Sequence, residues 1–71
     1  MANWYAYICT ASKRGYNEGE VCSYSTENLT TEQQTSRDIR KVSIGEWDDS
    51  GPDFKNYYFD LVTEKMLPIS Q

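Results

Sequence analysis

Residues 45–58 read GEWDDSGPDFKNYY and hold the densest group of reactive side chains in the chain. Four carboxylates, Glu46, Asp48, Asp49 and Asp53, surround Trp47, and Phe54, Tyr57, Tyr58 and Phe59 follow closely. Paired carboxylates perform acid and base catalysis when a buried cleft drives their pKa values apart. A chain of 71 residues has little core in which to build such a cleft. Exposed carboxylates titrating near pH 4 are poor catalysts at neutral pH. The DDSGPD stretch also lacks the alternating oxygen ligands and terminal Glu of a calcium loop. Recognition is the chemistry that remains: carboxylates that steer a basic surface, beside rings of the kind that anchor interfaces.

The rest of the chain offers no catalytic apparatus. It contains no histidine, the commonest general base and metal ligand. Two thiols, Cys9 and Cys22, fall short of the four ligands of a structural zinc site and read as free, small core residues. The four glycines, at 15, 19, 45 and 51, are too scattered to form a phosphate loop. The expectation is a protein that is not an enzyme and carries no cofactor and no metal.

Composition sets the frame for these residues. Hydrophobic residues make up 38% and aromatics 14%, a globular balance in which rings supply much of the core. One small domain, residues 1–71, is expected, near the size at which burial barely offsets chain entropy. The net charge of −4 is localised. Residues 1–45 carry five cations (Lys13, Arg14, Arg37, Arg40, Lys41) against five anions, and residues 54–71 carry two against two, so the excess lies in residues 46–53. No apolar run approaches the roughly 20 residues that span a bilayer. The opening MANWYAYICTAS has no positively charged region of the signal-peptide kind. A cytoplasmic protein is expected, in the host cytoplasm if the gene is viral.

An α+β fold is expected, with a small antiparallel sheet made of an N-terminal hairpin plus C-terminal strands, and one helix packed on it. Trp4–Ala11 alternates in the strand manner, Ser12–Gly19 is loop-like, and Glu20–Ser25 resumes the strand pattern. A hairpin centred between Gly15 and Tyr16 would set Cys9 opposite Cys22, Tyr7 opposite Tyr24 and Ala11 opposite Glu20. Residues 27–42 are polar and free of Gly and Pro. A capping box at Thr30 and Gln33, or at Thr31 and Gln34, opens a helix over Thr31–Val42. On that helix Arg37 and Lys41 would face solvent opposite Ile39. Residues 52–66 fit either a strand or a helix. A strand over Asn56–Thr63, a turn at Glu64–Lys65 and a last strand through Ile69 are preferred, although the turn lacks Gly.

Two functional readings follow, from different classes. In the first, the protein is a small non-enzymatic binding module, an inhibitor or adaptor of the size and composition that phages and mobile elements use. Glu46, Trp47, Asp48, Asp49, Asp53, Phe54 and Tyr58 would then occupy a basic site on a partner protein, such as one that holds nucleic acid. In the second, Lys13, Arg14, Arg37, Arg40 and Lys41 bind nucleic acid, with Tyr16 as a stacking ring. The acidic balance of the chain argues against the second. Self-association into a homodimer through an open sheet edge needs no special residue and completes the set.

Overall fold

The aromatic run at the N-terminus becomes strand β1 (Ala2–Cys9) in the computed structural model, which describes residues 1–13 and 15–69. Arg14 lies outside the described residues. Strand β1 is central in an antiparallel sheet, with β2 (Val21–Ser25) on one side and β3 (Ile39–Trp47) on the other. The short helix α1 (Thr31–Ser36) joins β2 to β3. A second antiparallel ladder, β4 (Tyr57–Asp60) with β5 (Lys65–Pro68), follows. The fold is α+β, with the C-terminal strands in a ladder of their own rather than added to the first sheet.

Neighbouring strand residues point to opposite faces, yet Ala6, Tyr7, Ile8 and Cys9 are all buried. Both faces of β1 are therefore covered. On one, the Tyr7 hydroxyl donates to the Glu27 carbonyl and accepts from the Leu29 amide at 3.1 Å, drawing the loop before α1 onto the sheet. On the other, Tyr24 of β2 meets Phe54 at 4.9 Å and Phe59 at 6.4 Å between ring centroids, and Trp47 of β3 meets Tyr57 at 5.1 Å. These ring contacts seat the C-terminal ladder.

The hairpin forms in a different register from the expected one. Ala6 faces Tyr24 and Tyr7 faces Ser23, after which a bulge brings Ile8 opposite Val21. The strands also stop short of Ala11 and Glu20. A one-residue slip moves every side chain to the other face. Here it places Tyr24 where Phe54 and Phe59 can cover it, a gain that no pattern within the hairpin reveals.

The helix begins as expected and ends six residues early. Thr30 and Gln33 form the reciprocal capping box. Arg37 closes the helix, Asp38 turns the chain at φ 54°, and Ile39 enters β3. Ile39, Arg40, Lys41, Val42 and Ser43 pair with β1 residues 9 down to 5, so Arg37 and Lys41 do not share a helix face. A short helix with a thin apolar stripe is marginal in water, whereas extension of 39–47 along β1 satisfies its backbone and covers the core. The freed strand edge is capped by the helix: Gln34 accepts from the Lys41 amide at 2.9 Å and donates to the Leu29 carbonyl at 3.0 Å.

The C-terminal region is a hairpin, as preferred over a helix, with its turn at residues 61–64. Asp60 does the work that glycine was expected to do. Its carboxylate accepts from the Val62 amide at 2.9 Å and the Thr63 hydroxyl at 3.0 Å, and Glu64 takes φ 57°. No helix among the described residues is long and apolar enough to cross a membrane.

Candidate functional site

The acidic segment leaves β3 through a bulge. Between the pairs Tyr5–Ser43 and Asn3–Glu46, β3 has one more residue than β1, and Gly45 adopts φ 90° there. Only glycine takes that conformation without strain, and a bulge of this kind bends the strand. The bend returns Trp47 over its own strand, where Nε1 donates to the Ile44 carbonyl at 2.8 Å. Trp47 is half-buried, braced by this bond and by Tyr57.

Residues 48–51 form a tight turn closed by the Gly51 amide donating to the Asp48 carbonyl at 3.0 Å. The Asp48 carboxylate accepts from the Ser50 amide at 2.9 Å and the Ser50 hydroxyl at 2.5 Å. Hydrogen bonds to the charged form favour it, so these donors hold the Asp48 carboxyl below its usual value. Trp4 lies beneath the turn. Its Nε1 donates to the Asp48 carbonyl at 3.1 Å, and a Cβ on Gly51 would stand 3.5 Å from its ring, so the two are in contact.

Asp53 organises the next turn, accepting from the Lys55 amide at 3.2 Å and from the Asn56 side chain at 2.8 Å. Phe54 is 47% exposed while one edge of its ring meets Tyr24. Asp48, Ser50, Gly51, Pro52, Asp53 and Phe54 line a shallow depression with Lys55 at its rim.

The four carboxylates therefore divide into two kinds. Asp48 and Asp53 are held by local hydrogen bonds and shape the loop. Glu46 and Asp49 are exposed and, among the described residues, make no side-chain hydrogen bond or ion pair. No cluster of three or more metal-ligating side chains occurs among the described residues. Tyr58 stands apart from this group: it alternates with Tyr57 and Phe59, whose rings meet Trp47 and Tyr24, and is 46% exposed on the outer side of the ladder.

Three of the cations of the alternative reading are drawn into internal contacts. Lys13 pairs with Asp38 at 3.2 Å and Arg40 with Glu64 at 2.7 Å. Lys41 binds the Asn28 side chain and the Leu29 carbonyl and lies 5.3 Å from the centre of the Tyr5 ring. Arg37 is exposed.

Sequence reasoning had no route to Trp4, which supports the acidic turn from 44 positions away. Gly45 did carry a signal, since an isolated glycine inside a strand pattern often marks a bulge. Searches with the chain against protein-family models, curated proteins and solved structures match nothing.

Proposed function

We propose that this protein is a small non-enzymatic binding module, an inhibitor or adaptor of the cytoplasm, whose acidic turn docks on a basic surface of a partner protein. Surfaces that otherwise hold nucleic acid phosphates have the matching charge. The observation that carries the reading is the division of labour within the turn. Asp48, Asp53 and Trp4 hold the loop in one shape, and Glu46 and Asp49 are left facing solvent beside the half-exposed Phe54. A loop shaped before binding loses less entropy on docking. Its free charges speed encounter and set specificity, while the neighbouring ring supplies desolvated contact.

Affinity capture from lysate tests this, with wild type and a Glu46→Lys, Asp49→Lys variant as parallel baits. Both reversals leave the bonds that shape the loop intact, so circular dichroism and melting curves should coincide. Wild type should retain a partner with a basic surface, and the variant should lose it. A partner captured equally by both baits at low salt would remove the acidic turn from the interface.

A further inference from the structure

At the end of the sheet away from the acidic turn, a cavity of about 350 Å³ is lined by Cys9 and Cys22 together with Tyr16, Arg37, Ile39 and the Lys13–Asp38 ion pair, 3.2 Å apart. Both cysteines are free thiols. Their meeting is a consequence of the bulge. With Tyr7 opposite Ser23 and Ile8 opposite Val21, Cys22 is the additional residue of β2. Directly opposed strand residues have Cβ atoms about 4.5–5.5 Å apart, wider than the roughly 3.5–4.5 Å of a disulfide. A bulged residue is released from that spacing, and the two thiols line one cavity.

We propose that Cys9 and Cys22 form a reactive dithiol that exchanges with an anionic low-molecular-weight disulfide entering this cavity and closes to a Cys9–Cys22 bond. The two thiols have different parts. Cys22 is half-exposed and shares the cavity with the exposed Arg37, so it is the thiol that an entering disulfide meets first. Cys9 is 6% exposed, and burial, together with the Cys22 thiol, pushes its own thiol up, so it waits protonated. The Cys22 thiolate attacks one sulfur of the small disulfide, breaks its S–S bond and releases the first small thiolate, leaving a mixed disulfide. Cys9 then gives its proton to solvent, attacks the Cys22 sulfur and expels the second small thiolate. The protein dithiol loses two electrons, the small disulfide gains them and leaves as two thiols, and no other reactant is needed. Arg37, which stands outside the Lys13–Asp38 pair, also attracts a negatively charged disulfide, which gives the first step a salt dependence.

The test uses the whole chain, reduced and then incubated with oxidised glutathione. Remaining thiols are blocked with an alkylating agent, and intact mass with peptide mapping reads the product. Wild type should lose two hydrogens and both alkylation sites, and a reductant should restore them. Cys9→Ser should stop at one glutathione adduct on Cys22, and Cys22→Ser should stay unmodified. If Cys9→Ser fails to fold, the wild-type map and the Cys22→Ser result still decide. Arg37→Gln should slow adduct formation several-fold and flatten its salt dependence. Two freely alkylated thiols in treated wild type, a mixed disulfide that never resolves, bridges only between molecules, or a reactive Cys22→Ser would each overturn the proposal.

Discussion

The Tyr7 hydroxyl ties β1 to the loop before α1 through two bonds, accepting from Leu29 and donating to Glu27 while its ring is buried in the sheet. Tyr7→Phe keeps the ring and removes both bonds. It leaves the Leu29 amide, in a residue 4% exposed, without a partner. An unsatisfied buried donor costs about 1–3 kcal/mol, and urea unfolding should show a loss in that range with little change in m-value. An effect of a few tenths of a kcal/mol would mean that water replaces the hydroxyl. The sequence marks Tyr7 as one of an alternating set of rings, but its polar contact lies 22 positions away and has no local signal.

Among the elements, α1 makes two separable contributions. Its start is local chemistry, the box between Thr30 and Gln33, and this was legible because both partners lie within one turn. Its end is not local: Ile39–Trp47 leaves the helical path because β1 offers a longer pairing partner. Thr30→Ala should therefore cost about 1 kcal/mol, the usual value of a cap, measured by thermal or urea unfolding, without altering β3. Amide hydrogen exchange separates the two parts. Exchange should quicken in residues 31–36 and remain slow in β3; acceleration across β3 would show that the cap also holds the sheet edge. Alternation in YYFD favoured the C-terminal hairpin only narrowly over a helix of 3.6 period, and its turn was misplaced because Asp60 and a left-handed Glu64 substitute for glycine.

The whole molecule is balanced between a small core and local electrostatics. Its accessible surface is 4972 Å², against roughly 12,000 Å² for an unfolded chain of this mass, so modest terms matter to its stability. Ser50 lowers the Asp48 pKa, and Arg40 lowers that of Glu64. Groups depressed in the folded state contribute stability above their unfolded pKa and lose it as pH falls through the folded value. Burial raises Cys9 and Tyr24, whose contribution is present below their unfolded pKa and lost as pH rises through the folded one. The melting temperature should thus be level near neutrality, fall on the acid side below the ordinary carboxylate range, and fall again in strong alkali. Asp48→Asn combined with Glu64→Gln should flatten the acid limb. An unchanged limb would assign acid unfolding to other carboxylates.

Sequence alone determined what depends on composition or on neighbours in the chain: the α+β class, the start of the helix at Thr31 and the concentration of net charge in residues 46–53. Tertiary structure decided the hairpin register, the conversion of 39–42 from helix to strand, the choice of a strand hairpin over a helix at the C-terminal end, the support of the acidic turn by Trp4 and the meeting of Cys9 with Cys22. The physical reason is the range of the forces involved. Capping and alternation act within a few residues, whereas register and strand choice follow from which rings and strand edges can be covered at once, and those partners lie up to 44 positions apart.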